Sequence, residues 1–486
     1  MLRPFRHAMT RAPSYVLLTL LPGILALTGG RISTASLLLV PAPIAVTPAD
    51  NIQALVDRNP PGTSFRISPG IYRLQTIVPK NGDSFTGEPG AILNGAQVLN
   101  SFTRQGSLWV THVEVRPPAN PRGICRTGNP ACALPEDLFI DNAPLRRVAA
   151  LGDVASGKWY LDYGTGSAYL ADDPQGHIVE ISMAQHAFQG SAGDVTIRGL
   201  VIEKYANPAQ TGAINGFGEG GRLSQNWVVE QNEIRLNHGT GLRTGNRMRV
   251  LKNNVHHNGQ MGLAGSGDNL LIEGNEIAYN NYAGYSWGWE GGGTKFVYTR
   301  NLVVRNNFVH HNQGPGLWTD TDNDHVLYEH NRTSSNIMAG IDHEISFDAV
   351  IRDNTIENDG YNPDGSGISW GAGIFIYASS NVEVYRNTLI NCMHGIVARQ
   401  DDRGFSRSGI RYLVKNLYVH DNLIKQAGGF ALGLRKSGPF DDSVFTSWNN
   451  RFENNHCELT DPKAKYYHWL NRELTQQEWD ALRNRR

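Results

Sequence analysis

From about residue 195 to 455, short apolar runs alternate with polar positions, and an asparagine brackets each run. Asn232/Asn237, Asn254/Asn258, Asn275/Asn280, Asn307/Asn312, Asn331/Asn336 and Asn354/Asn358 repeat this phrase. Each unit then closes on a glycine and an apolar residue: Gly241-Leu242, Gly262-Leu263, Gly284-Tyr285, Gly316-Leu317, Gly340-Ile341, Gly373-Ile374 and Gly395-Ile396. The basic period is 21 to 24 residues, stretched beyond 30 where loops intrude. That spacing is too short for a pair of helices and suits one coil of a parallel β-solenoid. The bracketing asparagines are expected to stack along the coils and bond one another and the corner backbone.

The flanks follow other patterns. Residues 1–49 read as an export segment, and 50–101 as an N-terminal cap and first coils. Asp50 is the expected N-cap of a short helix that covers the solenoid's open end. Residues 102–190 leave the repeat and alternate in strands such as Lys158-Trp159-Tyr160-Leu161, which predicts an inserted β-rich domain. The solenoid proper spans 191–456. The tail, 457–486, carries Thr475 and Glu478 at capping-box spacing for a last short helix. The fold class is therefore all-β: a parallel β-helix with an inserted β-rich domain and short helical end caps.

Composition narrows the partners. Charged residues are 18% and formal net charge is −1, which argues against nucleic acid or an anionic membrane as the main partner. Fifty-three glycines fit a chain with many tight corners (Gly 53). Arg3, Arg6 and Arg11 precede an apolar run from Val16 to Leu27, the layout of a secretory signal. The run is short for a membrane span, and a second apolar patch, Leu37 to Val46, leaves the cleavage point open. An uncleaved anchor is the alternative. The expected location is secreted or periplasmic. Cys125 and Cys132 sit in a Gly/Pro-rich loop and read as a disulfide, a reduced pair or a loose metal site. Cys392 reads as a small buried residue.

Candidate chemistry comes from the register. Strand side chains alternate, so the second and fourth positions after each repeat glycine face outward. The fourth position reads Gly245, Ser266, Gly288, Asp320, Glu344, Tyr377, Arg399. The second reads Arg243, Ala264, Ser286, Trp318, Asp342, Phe375, Val397. Asp320 and Glu344 lie one coil apart, and neighbouring strands are about 4.8 Å apart. Like charges stacked so closely persist only if one is protonated, a cation neutralises them, or nearby bases compensate. A solvated acidic face is the bland alternative. Glu290, Asp322, Ser346 and Asp401 extend the same parity. The segment Trp287 to Lys295 looks like a loop beside the column. Trp318 is an outward residue that could serve as a platform for a sugar ring; Thr319 and His343 point inward.

The repeat resembles that of the right-handed parallel β-helix superfamily, which includes pectate lyases, polygalacturonases, alginate epimerases and several glycoside hydrolases. The likeness covers roughly residues 50 to 100 and 195 to 455. The insertion, with Asp137-Leu138-Phe139-Ile140-Asp141-Asn142 and Trp159-Tyr160-Leu161-Asp162, resembles the β-domain of β-xylosidase-type β-helix hydrolases. Gly316-Leu317-Trp318-Thr319-Asp320, followed by His343-Glu344, also resembles those enzymes. The resemblance implies Asp320 as nucleophile and Glu344 as acid/base. Ile345-Ser346-Phe347-Asp348 departs from that family's pattern. The whole chain also resembles secreted bacterial β-helix proteins.

Three functions follow as expectations. The first is a secreted, retaining glycoside hydrolase acting on a poly- or oligosaccharide, with no cofactor; Trp318, Tyr377, Arg399, Glu290 and Lys295 would bind the sugar. The second is a lyase or C5-epimerase of a uronate polymer, with Asp320, Asp322 and Glu344 holding Ca²⁺ and Arg399 or Lys295 helping to abstract a proton. Arg403, Arg407, Arg435 and Lys436 would suit that reading. The third is a glycan-binding or envelope solenoid without catalysis.

Overall fold

Each coil is built from three short strands. The coil that matters most runs Leu317–Asp320, Asp324–Glu329 and Arg332–Ser334. The first two strands of each coil join a 24-stranded sheet, almost wholly parallel, and the third joins a 12-stranded parallel sheet. Strands of three to six residues cannot stand alone. Their stability comes from the coils above and below, to which they pair residue for residue. Leu317, Ile341, Ile374 and Ile396 form one inward column, all buried. Each such side chain contributes about 1.5–3 kcal/mol of apolar burial. The molecule is a right-handed parallel β-helix, seen in a computed structural model that describes residues 42–119, 121–361, 371–426, 428–461 and 463–483. The expected export segment lies almost wholly outside the described residues.

Asparagines lock two of the corners. Asn307 donates to the Ile272 carbonyl at 2.9 Å and to Asn331 Oδ1 at 3.0 Å, and it accepts from Asn275. One ladder runs through Asn232, Asn253, Asn275, Asn307, Asn331 and Asn354. The other runs through Asn237, Asn258, Asn280, Asn312 and Asn336, and it ends on Asp359. Two expected members are therefore off by one. Asn253 takes the place expected for Asn254, which opens a strand and is exposed. Asp359 takes the place expected for Asn358, whose corner conformation (φ 56°) turns its side chain out to Asn391.

The ends and the insertion are also built as local sequence suggests, with corrections. Helix Ile52–Arg58 buries Ile52 and Val56 in the solenoid core. Its N-cap is Asn51, which accepts from Ala54, while Asp50 is spent on Thr47. At the other end Thr475 and Glu478 exchange capping hydrogen bonds, and Trp479 stacks on Tyr467. Between residues 96 and 182 the chain leaves the coils for a four-stranded and a five-stranded sheet with their own small core around Trp159 and Leu138. Cys125 and Cys132 form a disulfide, and Cys392 is buried. Among the described residues no helix is long and apolar enough to cross a membrane.

One register expectation fails. The coil after Asn280 does not begin its strand at Gly284-Tyr285. The strand is Gly292–Arg305, and Thr294 rather than Tyr285 stacks beside Leu263. Residues 284–291 form a loop instead. Tyr285 is buried there against Cys132 and Trp289, bridged to Cys125 of the insertion.

Candidate active site

The outward column is assembled by strand pairing alone. Strand Leu317–Asp320 lies against Ile341–Glu344, which lies against Ala372–Tyr377, which lies against His394–Gln400. Asp320 is the register partner of Glu344, Glu344 of Tyr377, and Tyr377 of Arg399. The alternate residues turn inward, as expected. Thr319 Oγ1 meets His343 Nδ1 at 2.8 Å and accepts from Tyr328. Burial drives the His343 pKa down to about 3, so this imidazole is neutral and belongs to the core.

Two cations come between the acids. Lys295 Nζ sits 2.8 Å from Asp320, 3.7 Å from Glu290 and 3.9 Å from the Trp318 ring centroid. Arg403 bonds Glu344, and the Trp318 indole N–H donates to the same carboxyl at 3.2 Å. The environments of the two acids differ. The Asp320 side chain keeps 14% of its surface, whereas that of Glu344 keeps 3%. Burial, reinforced by the nearby Asp320 charge, raises the Glu344 pKa to about 7 against the opposing pull of Arg403 and Lys295.

A third acid shares this face. Asp342 is the register partner of Trp318 on one side and Phe375 on the other, and it is fully buried. Burial first, then Glu344 and Asp320, push its pKa well above the usual carboxylate range. Its outward position was visible in the sequence register; what was not visible is that, among the described residues, no hydrogen-bond donor would reach it. Arg403 likewise stood among the nearby bases without any sequence signal tying it to Glu344, 59 residues away.

The remaining expected residues are sorted by the loops. Trp318 faces outward but is only 1% exposed, covered where an open platform was expected. It holds Glu344 rather than presenting a free ring. Tyr377 donates to Asp401 at 2.8 Å, and Arg399 pairs with the same carboxylate at 2.6 Å. Glu290 reaches the site through Lys295. Asp322 is drawn off: it accepts from Tyr412 OH at 2.5 Å and from the Arg407 backbone at 3.0 Å. The calcium set Asp320–Asp322–Glu344 therefore does not fit. One member serves the loop at 401–412, and Lys295 and Arg403 already stand on the other two. Ligand-bearing side chains do converge at Asp324, His325 and Asp348, on a partly exposed corner of the solenoid.

Two loops border the column. On one side lies 284–291, with the Trp289 carbonyl accepting from Lys295 Nζ and Trp287 stacked under Arg126 of the disulfide loop. On the other lies 401–412, with Arg403 over the Tyr377 ring, Arg407 over Tyr298 and Tyr412 stacked on Phe347. A separate cavity of about 210 Å³ sits at the join of insertion and solenoid, lined by residues including Asp137, Arg147, His238 and Tyr282, and none of the three acids lines it.

Comparisons with known proteins agree with this architecture. Residues 221–403 match a family model described as a right-handed beta helix region. A search of curated protein sequences finds no match. Among solved structures, a complex of XylC with xylose superposes with a TM-score of 0.62 at 14% identity, covering 85% of this chain and 83% of that one. The A-module of the Azotobacter vinelandii mannuronan C-5 epimerase AlgE6 gives a TM-score of 0.45 at 14% identity, covering 86% and 93%. The catalytic domain of a GH87 alpha-1,3-glucanase with tetrasaccharides gives 0.39 at 11%, covering 88% and 68%. At 14% identity the likeness to the XylC structure is one of fold.

Proposed function

We propose that this chain is a secreted glycoside hydrolase that cleaves with retention of anomeric configuration, Asp320 acting as nucleophile and Glu344 as acid/base. The observation that carries the reading is the asymmetry of the register pair. Asp320 is the more exposed acid and is ion-paired to Lys295; Glu344 is buried, with its pKa lifted to about 7. A hydrolase of this kind needs one carboxyl to attack and a second that bears a proton for the departing oxygen near neutral pH, and the raised pKa of Glu344 suits the second task.

The spacing of neighbouring strands, about 4.8 Å, is near the roughly 5–5.5 Å that double displacement requires and short of the roughly 6.5–9.5 Å that inversion requires. In the first step Asp320 bonds to the anomeric carbon while the Glu344 proton passes to the leaving oxygen. In the second, Glu344 takes a proton from water as that water displaces Asp320. Trp318 and Arg403 fix the Glu344 carboxyl through both steps. Lys295, 2.8 Å away, pairs with Asp320 and holds its carboxyl in place. The xylose-bound neighbour of the same fold is in keeping with a sugar partner. The Cys125–Cys132 disulfide suits an oxidising compartment outside the cytoplasm.

A calcium-dependent lyase or epimerase is less well served, because Asp322 is committed elsewhere and the nearest cations are consumed by Asp320, Glu344 and Asp401. The test is product analysis. Wild-type protein incubated with plant and bacterial polysaccharides is expected to release reducing ends whose first-formed anomer, followed by NMR, matches the substrate. An unsaturated, ultraviolet-absorbing product would replace this reading with a lyase.

A further inference from the structure

Asp342 is fully buried, and among the described residues neither of its carboxyl oxygens meets a hydrogen-bond donor. Among the described residues it is the only carboxylate left in that condition. Asp359 gives the contrast. It too is fully buried, but it accepts from Thr333, from the Asn336 amide and from the Asn336 backbone. An unpartnered buried carboxyl is costly, and a leucine-shaped side chain would fill the same space without that cost. A group that weakens the fold and stands beside the two acids of a candidate site points to a partner that arrives with a ligand.

Its neighbours indicate what that partner carries. In the outward column Asp342 lies between Trp318 and Phe375, two flat apolar rings. Asp320 and Glu344 occupy the next outward positions along the same strands. Rings flanking a single polar group suit a pyranose, whose C–H faces pack on aromatic surfaces while its hydroxyls seek hydrogen bonds. Burial raises the Asp342 pKa well above the usual carboxylate range and so favours the protonated form, which can donate as well as accept. Trp318 and Phe375 are buried with Asp342, so a sugar reaches it only when the groups covering this column move aside.

We propose that Asp342 is a third sugar-contacting residue of this site, its carboxyl taking a ring hydroxyl of the glycan unit that lies across Asp320 and Glu344. The proposal rests on the glycan partner of the hydrolase reading, and not on any bond being cleaved.

The experiment uses the full chain carrying Asp320→Asn, which silences turnover. Affinities for the methyl glycosides of xylose, glucose, galactose and mannose are measured by calorimetry, together with the thermal midpoint. Adding Asp342→Leu is expected to weaken the tightest of these ligands at least roughly tenfold while the melting temperature holds or rises. Adding Asp342→Asn, whose amide still donates and accepts, is expected to keep affinity within a few-fold. A monodeoxy analogue lacking the contacted hydroxyl should bind worse to the parent and no worse to the leucine variant. Unchanged affinity in the leucine variant, or no glycoside binding to the parent at all, overturns the proposal. Product analysis on wild type separates the two readings. Sugar binding with this signature but without release of reducing ends removes the hydrolase and leaves the contact. Hydrolysis by a wild type whose Asp342→Leu counterpart binds as well as the parent removes the contact alone.

Discussion

Asp320 and Glu344 face each other in register across two adjacent coils, and each has its own cation: Lys295 at 2.8 Å from Asp320, and Arg403 on Glu344. Without those cations two carboxylates one strand apart would repel. With them the pair is held, and burial makes the two acids unequal. The equal spacing comes from the sheet, and the inequality comes from the loops that cover Glu344 and leave Asp320 partly open.

Removing either acid tests the division of labour. Asp320→Asn and Glu344→Gln should each lower kcat about a thousandfold on a natural glycan, within the range known for nucleophilic and acid–base groups. The glutamine variant should recover part of that loss on an aryl glycoside, whose leaving group needs little protonation. Full activity in both variants on a substrate that wild type cleaves would sink the assignment.

The pH profile follows from Glu344. As the acid it must carry its proton, so activity should fall as pH rises through about 7. Arg403 stabilises the carboxylate form and so holds this pKa down. Replacing Arg403 with methionine should therefore move the alkaline limb of kcat/KM upward. A downward move would mean that another group sets that limb.

Asp359 should make stability depend on pH. Burial raises its pKa to about 7, above the ordinary 3.8. The folded state thus binds the proton more tightly than the unfolded chain. No penalty exists below about pH 4; it grows between about 4 and 7 and is complete above 7. Asp359→Asn should raise stability at pH 8 by at most about 4 kcal/mol and leave it nearly unchanged at pH 4. Urea unfolding at the two pH values checks this, and an equal gain at both would refute it.

The asparagine ladder makes a sharp stability contrast. Asn312 donates to the Ile277 carbonyl and to Asn336, and accepts from Asn280 through both its backbone and amide. Asn312→Ala leaves several of these buried groups unpaired and should cost about 3 kcal/mol or more. Asn391 is exposed and, among the described residues, its side chain pairs with Tyr361 and Asn358 at the surface; changing it to alanine leaves no buried group unpaired and should cost about 1–2 kcal/mol at most, from the left-handed backbone (φ 51°) that alanine disfavours. Equal denaturation midpoints for the two variants would rule out a supporting role for the inner ladder.

The sequence by itself determined the coil, its period, the inward column of Leu317, Ile341, Ile374 and Ile396, and the adjacency of Asp320 to Glu344. It could do so because a solenoid pairs each strand with its nearest repeats, so spacing along the chain translates into position on the sheet. The same logic slipped where spacing was disturbed: Asn253 for Asn254, Asp359 for Asn358, and a strand opening at Gly292 in place of Gly284. Only the tertiary structure decided that Lys295 meets Asp320, that Arg403 reaches back to Glu344, that Trp318 is covered, and that Asp342 finds no hydrogen-bond donor among the described residues. Those outcomes depend on where irregular loops at 284–291 and 401–412 come to rest. Loops follow no period, so their contacts are set by packing across distant parts of the chain rather than by any repeat that can be read along it.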